Sequence, residues 1–408
     1  SPTSVWPTPH GPPRKVRPPL NGQPIDSPLH ILALDAYHGG SHAAVLDGWA
    51  RHSRHRIQTL TLPAHDWKWR MRHSAVTFAT MIRRRRAAEG PWDLLWCTDM
   101  TDLATLRALT GPAVTDVPAV AYFHENQLTY PTQHDEPRDL HFALTNFTTA
   151  LAADAVWFNS DFHRRSFLDA TGGLLHSMPD HPPLDELEAV REKALVQHPG
   201  VDVTAHVVDT QSEANARQTA DDAARRPLHL AWAARWEHDK NPWLLFDAVD
   251  ALVNRGVELR LSIIGEQFRQ GPPVFDEARA RHADRIVRWG YQSTRAAYLA
   301  ALREADVFIS TADHEFFGLA AVEAAACGCA CVLPRRLAYP EAFGDREAIW
   351  YDGSCTGLVE AIERFGRGQG VEPGADADAV DAITARYRWP ARAAAWDDAI
   401  DAVALRHG

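Results

Sequence analysis

Apolar residues along this chain gather into short runs rich in β-branched and aromatic side chains. Each run is followed by a polar or glycine-bearing stretch and then by a segment with helical spacing. Residues 30–35, 56–62, 92–97, 118–123 and 155–159 read as strands of a first unit, and 228–234, 257–264, 285–289 and 306–310 restart the alternation in a second. Strand followed by helix, repeated, is the pattern of parallel sheets covered on both faces, so the fold class is α/β with two Rossmann-like doubly wound domains. Thr, Gln, Asp and Ala replace the apolar runs near 201–227, which places a linker at 206–227 between an N-terminal domain, 29–205, and a C-terminal one, 228–386. A closing helix at 391–405 is expected to pack back across the two domains, while the proline-rich stretch 1–28, which lacks an apolar h-region, is expected to be a disordered lead.

The densest chemistry lies in 306–334. A buried strand ending at Ser310 leads into Asp313-His314-Glu315, and an Ala-rich helix is expected from near Phe317 to Gly328. Its first free backbone N–H groups, around Phe317, Gly318 and Leu319, can face an anion, and the helix dipole adds positive potential there. Glu315 precedes the helix and Glu323 lies more than a turn inside, so one suits sugar hydroxyls and the other a ribose diol. The same pattern fits a solvated Glu pair flanking an ordinary helix, and this segment alone leaves both readings open.

Other stretches sit where an open α/β sheet places ligands, at the carboxyl ends of strands. Gly39 and Gly40 make a turn that lets backbone approach a ligand, with Ser41 and His42 near the start of the next helix. His124-Glu125-Asn126-Gln127 follow the 118–123 strand as four polar groups in a row. Arg235 and Lys240 flank a strand-to-helix loop, where two cations suit a diphosphate. Gly265 and Tyr291 end the next two strands, where backbone groups could read a nucleobase. The loop 63–73 interleaves Trp67, Lys68, Trp69, Arg70 and Arg72, a mixture that suits stacking on bases and pairing with phosphates; buried tryptophans with snorkelling cations fit it equally. Arg83 to Arg86 extend the basic run, although four consecutive residues of a helix cannot share one face.

Composition narrows the classes. A chain of 408 residues is long for one core and fits two domains, and 45% apolar with 23% charged residues is the balance of a soluble globular protein. No run of eighteen apolar residues marks a membrane span. A net charge of −11 argues against a protein coated in nucleic acid but leaves room for a local basic patch. Five cysteines, with Cys327, Cys329 and Cys331 straddling a helix end and a strand start, read as free packing thiols in a reducing cytoplasm and not as a metal site. Nothing in the sequence speaks to oligomeric state.

Tyr37-His38-Gly39-Gly40-Ser41-His42, Phe123-His124-Glu125-Asn126-Gln127-Leu128-Thr129-Tyr130-Pro131, Arg235-Trp236-Glu237-His238-Asp239-Lys240, Trp289-Gly290-Tyr291, His314-Glu315-Phe316-Phe317-Gly318 and Tyr339-Pro340-Glu341 resemble, in the same order, the tRNA-queuosine α-mannosyltransferase family. These are retaining glycosyltransferases of the B fold and of the family 4 type, whose two Rossmann-like domains face each other across a cleft. The resemblance implies a GDP-mannose donor and a tRNA acceptor whose wobble queuosine takes mannose on its cyclopentenediol. It implies that Arg235 and Lys240 hold the diphosphate, with Gly39 and Gly40 approaching it from the other domain and Phe316 to Leu319 lining it. Glu323 would hold the ribose, Glu315 the sugar hydroxyls, and His124 the sugar near the reacting centre; His124 and Glu315 are thus the catalytic candidates. Gly265 and Tyr291 complete the donor set. Ser41, His42, Glu125, Asn126, Gln127, Lys68, Trp69, Arg70 and Arg72 form the acceptor side. Neither a resident metal nor a cofactor is implied. A small-molecule, glycan or lipid acceptor is the alternative for the same donor site, and a silent nucleotide-sugar or RNA-binding protein the alternative from another class.

Overall fold

The computed structural model describes residues 27–131, 139–203, 226–267, 271–344, 347–368 and 377–407. Most of the expected linker and of the proline-rich lead therefore lie outside the described residues. Two six-stranded sheets, parallel throughout, carry the fold. β1 (His30–His38), β2 (Arg56–Pro63), β3 (Leu94–Thr98), β4 (Ala119–Phe123), β5 (Ala155–Phe158) and β6 (Ala194–Val196) pair in the order β2-β1-β3-β4-β5-β6. β7 (Leu228–Ala233), β8 (Leu259–Ile264), β9 (Ile286–Gly290), β10 (Val307–Ile309), β11 (Ala330–Pro334) and β12 (Ile349–Tyr351) pair as β12-β11-β10-β7-β8-β9. Strands β3, β4 and β11 are buried at every position, which is why they read as unbroken apolar runs: a parallel sheet is covered on both faces. The fold is the expected pair of Rossmann-like domains.

Strand order fixes where a ligand can sit. In each sheet the order reverses once, between β1 and β3 and between β7 and β10, and the loops leaving those four strands diverge to open a crevice at their carboxyl ends. The four loops are the ones that begin at Gly39, Asp99, Ala234 and Ser310.

Three local expectations need correction. β1 runs on through Tyr37 and His38 and a helix begins at Gly40, so Ser41 and His42 are first-turn helical residues and only Gly39 remains as the turn. Residues 67–73 are not a loop: the Trp67–Glu89 helix starts there, launched by Asp66, whose carbonyl accepts from the N–H groups of Trp69 and Arg70. The helix after β10 begins at Leu319, two residues late, because Gly318 takes a left-handed conformation (φ 91°) and becomes its N-cap.

The chain end ties the halves together. Val201 and Arg388 form an isolated parallel bridge, with Val201 N–H donating to Tyr387 O at 2.7 Å. From there the closing helix, Trp389–His407, returns to the N-terminal sheet. Its Trp396 is fully buried within 5.0–5.6 Å, ring to ring, of Trp49, Tyr122, Trp157 and Trp389, and its Nε1 donates to His198 O at 3.0 Å. Trp396→Ala leaves a large cavity, although His198 O keeps its second donor, Arg392 Nε at 3.1 Å, so it is expected to destabilise the N-terminal domain by about 3–5 kcal/mol. Denaturant unfolding followed by fluorescence checks this, and a loss under about 1 kcal/mol would mean that the helix is not part of that core.

Candidate active site

The C-terminal crevice is built around one buried lysine. Lys240 Nζ donates to His314 O at 2.7 Å and lies 3.2 Å from Asp239 Oδ2 and 3.4 Å from Glu315 Oε2. Burial opposes the ammonium, but Glu315 and Asp239 outweigh it and the Lys240 pKa is raised; the Lys240 charge, against the opposing effect of burial, lowers that of Glu315. Glu315 Oε1 also accepts from Gly318 N–H at 3.1 Å and Phe317 N–H at 3.4 Å. Those two donors, expected to face a phosphate, are thus held by the neighbouring carboxylate, and Leu319 begins the helix beyond them. Trp232, Lys240, Ser310, Glu315, Gly318 and Tyr339 bound a pocket at this point.

Glu323 is also buried, on the helix Leu319–Ala326, and its two oxygens accept from Arg295 Nη2 at 2.5 Å and Tyr298 Oη at 2.9 Å. Gly265 and Tyr291 sit at the ends of β8 and β9, where Tyr291 is 70% exposed. Arg235 reaches across the cleft: its Nη2 donates to Tyr130 Oη at 2.6 Å, and Tyr130 donates to Glu237 Oε2 at 3.3 Å. Tyr130 belongs to the polar loop after β4, so one hydrogen-bonded relay joins the diphosphate candidates to the His124 loop. Two further cross-cleft contacts lie beside it. Phe316 stacks on His163 with ring centroids 3.8 Å apart, and its carbonyl accepts from Ser160 Oγ at 2.5 Å. Glu341 caps the helix Asp161–His176, accepting from the N–H groups of Asp161 at 2.7 Å and Phe162 at 3.0 Å, and pairs with His198 at 2.8 Å.

The N-terminal crevice is acidic and histidine-rich. Asp35, fully buried, accepts from Tyr37 N–H and from His38 Nδ1, each at 3.0 Å, and lies 3.5 Å from His42 Nδ1. His42 stacks on His124, centroids 3.8 Å apart. Asp99, at the end of β3, accepts from His124 N–H at 2.9 Å, and Asn146 bridges Asp99 O and Gln127 N–H. Asn126 Oδ1 accepts from the N–H groups of Leu128 and Thr129, so Asn126 shapes the loop from within, while Gln127 donates to Glu125. Gly39 has a packing reason of its own, since a Cβ there would lie 2.5 Å from Ala64 Cβ. On the outer face Lys68 and Trp69 are exposed and Arg72 pairs with Asp139 at 2.9 Å, but Arg70 turns inward onto Pro63 O, His65 and His73 and does not join that face.

Asp35, Asp99, Tyr130, His163 and Glu341 were not singled out as site residues by the sequence. A carboxylate ending an apolar strand was the available signal for the first, because such a group stays buried only with partners. Asp99 gives a pH test. Burial pushes its carboxyl from 3.8 up to about 7, against the pull of the His42 charge. The unfolded chain releases that proton earlier, so the contribution of Asp99 to stability is full below about pH 4 and is lost as pH rises through 7, about 4 kcal/mol in all. Asp99→Asn is expected to remove that loss and to unfold at higher denaturant than the parent near pH 8; equal pH dependence of the two proteins would overturn it.

Among the described residues no group of three or more His, Cys, Asp or Glu is placed to hold a metal ion, and no helix is long and apolar enough to cross a membrane. All five cysteines are unpaired.

Comparison with known proteins places both halves. Residues 30–201 match the profile described as tRNA-queuosine alpha-mannosyltransferase N-terminal, and residues 223–374 match glycosyl transferases group 1. The tRNA-queuosine alpha-mannosyltransferase of Drosophila melanogaster is 36% identical over 315 residues, 77% of this chain and 81% of that protein. A GDP-mannose-dependent alpha-(1-6)-phosphatidylinositol dimannoside mannosyltransferase of Mycobacterium tuberculosis is 37% identical over 133 residues, covering 33% of this chain and 34% of its own. Among solved structures, sucrose-phosphate synthase from Thermosynechococcus elongatus superposes with a TM-score of 0.67 at 14% identity, covering 92% of this chain and 99% of its own. Anabaena HepE in complex with UDP-glucose gives 0.66 at 14% identity, covering 92% and 100%. These two likenesses concern the fold.

Proposed function

Because the chain belongs to the tRNA-queuosine α-mannosyltransferase family, we propose that it moves mannose from GDP-mannose to the cyclopentenediol of queuosine at the tRNA wobble position, with retention at the anomeric carbon. The observation that carries this reading is the pair of facing crevices: Arg235, Lys240 and Glu315 on one side, His42 and His124 on the other, joined through Tyr130. Arg235 and Lys240 take the diphosphate and stabilise the charge that develops as it departs. Arg235 exchanges Tyr130 for a phosphate oxygen, and Lys240, held charged by Glu315 and Asp239, supplies the second cation. Glu315 orders the sugar hydroxyls, Glu323 the ribose, and Gly39 and Gly40 approach the phosphate from the N-terminal side. Gly265 and Tyr291 face the nucleobase. His124 meets the sugar beside the reacting carbon, and the leaving phosphate accepts the proton of the attacking hydroxyl, so no protein nucleophile is assigned.

Lys68, Trp69 and Arg72 offer an exposed aromatic and cationic face for the anticodon arm, and a cytoplasmic site of action belongs to the same reading. A small-molecule, glycan or lipid head-group acceptor is the second reading; the net charge of −11 and the shared segment with the mycobacterial lipid mannosyltransferase favour it. Transfer to matched tRNAs bearing either queuosine or guanine at the wobble position separates the two. Labelled mannose entering only the queuosine tRNA supports the first reading, while donor turnover with neither tRNA labelled moves the acceptor to the second.

A further inference from the structure

His42 and His124 are stacked at 3.8 Å with planes 22° apart, and two imidazoles so placed cannot both carry a proton's charge without strong repulsion. The surroundings decide which of them does. Around His42 stand Asp35 and His38 from β1, Asp99 from the end of β3, and Glu125 from the loop after β4; Asp47, on the same helix as His42, pairs with His38 at 3.4 Å. Around His124 stand His42, Asp35, His163 and Tyr122, and its Nε2 has no hydrogen-bond partner among the described residues. Three carboxylates, those of Asp35, Asp99 and Glu125, thus act on the His42 ring, against that of Asp35 on the His124 ring.

We infer that Asp35 is a positioning residue for the transfer reaction: it anchors His42 as the charged member of the stack, and His42 holds the ring of His124 uncharged and fixed beside the substrate. This rests on the proposed role of His124 at the sugar. Burial works against the charged form of both rings; at His42 the Asp35 carboxylate, 3.5 Å from Nδ1, outweighs it and the pKa is raised, whereas at His124 burial is reinforced by the His42 charge and the pKa falls well below 6.5. The arrangement has a chemical reason. The anomeric carbon becomes cationic as the diphosphate leaves, so an imidazolium against it would oppose the reaction, while a neutral imidazole can still hydrogen-bond a sugar hydroxyl. Asp35 itself remains ionised, because the bond from His38 Nδ1 and the nearby His42 ring overcome its burial.

The test is ring-nitrogen NMR of the full chain labelled with 15N-histidine, read beside kinetics, with His42→Phe and His124→Gln assigning the two rings. Near pH 7 the parent protein is expected to show His42 as imidazolium and His124 as neutral imidazole. Asp35→Asn is expected to discharge His42 and to lower kcat by about 10–100-fold, as loss of a supporting carboxylate does elsewhere, with KM for the donor little changed. A merely structural role would lower the folded fraction but leave ring ionisation in the folded protein alone. If Asp35→Asn does not fold, His42→Phe carries the test: His124 should titrate at higher pH than in the parent once the neighbouring charge is gone. A neutral His42 in the parent, or an unshifted His124 in His42→Phe, overturns the inference. Since the NMR needs neither mannose nor tRNA, failure of the proposed reaction would show as absent transfer with the ring assignment intact.

Discussion

Lys240→Ala is expected to abolish measurable transfer and to unfold more easily than the parent. Lys240 is 9% exposed, and its ammonium sits between two carboxylates, so its removal strands buried negative charge. Asp239 is the worse placed of the two, because among the described residues neither of its side-chain oxygens makes a hydrogen bond, and the Lys240 charge is the largest that compensates it. Breaking one partner out of such a buried pair costs about 3–5 kcal/mol. The donor diphosphate would lose one of the two cations assigned to it, and removal of a single charge-stabilising donor of this kind costs about 100–1,000-fold in rate. The two effects separate when donor binding is titrated well below the unfolding transition. A Lys240→Ala protein that is folded and binds GDP-mannose as the parent does would remove Lys240 from the diphosphate.

Glu315→Ala is expected to behave differently: a small loss of stability and a large loss of turnover. The carboxylate closes two backbone N–H groups at the helix start, so its removal resembles loss of a cap, about 1 kcal/mol. Lys240 keeps His314 O and Asp239. Under the proposed role of Glu315 at the sugar hydroxyls, a fall of about 100-fold or more in kcat with a modest change in donor KM is the expected result. Steady-state kinetics beside a thermal melt decides this, and near-normal turnover would remove Glu315 from the site.

The sequence made legible what depends on neighbours along the chain. Strand cores such as Leu94–Thr98 are buried on both faces and announce themselves as apolar runs, and the residues leaving β7 and β10 were readable because ligands gather where a parallel sheet ends. Helix starts were less legible. The Trp67–Glu89 helix has no acidic residue in its first turn and carries Lys68 and Arg70 there, against the dipole, so Asp66 is the one start signal and it is masked by the basic run that follows. Gly39 and Gly40 read as an extended turn, yet the second of them already begins a helix. Least legible were contacts between distant residues: Tyr130 on Arg235, Phe316 on His163 and Glu341 on the helix Asp161–His176 join positions that no spacing rule relates. Asp35 was read only as a strand end and Asp99 was not read at all, because their role comes from the histidines that the fold brings to them.

Those cross-cleft contacts also bear on how the donor enters. Arg235 is engaged by Tyr130, and Phe317 and Gly318 by Glu315, so under the proposed function a diphosphate would replace partners that the protein supplies to itself. Such internal partners keep polar groups satisfied, and under the proposed function exchange of Tyr130 at Arg235 would couple donor binding to the spacing of the two sheets.

The most direct measurement is intact-nucleoside mass spectrometry of queuosine-containing tRNA after incubation of the full chain with GDP-mannose or with UDP-glucose. The account predicts that queuosine gains the mass of one hexose with GDP-mannose and stays unchanged with UDP-glucose. Unmodified queuosine while GDP-mannose is consumed, or a hexose gained from UDP-glucose, would contradict it.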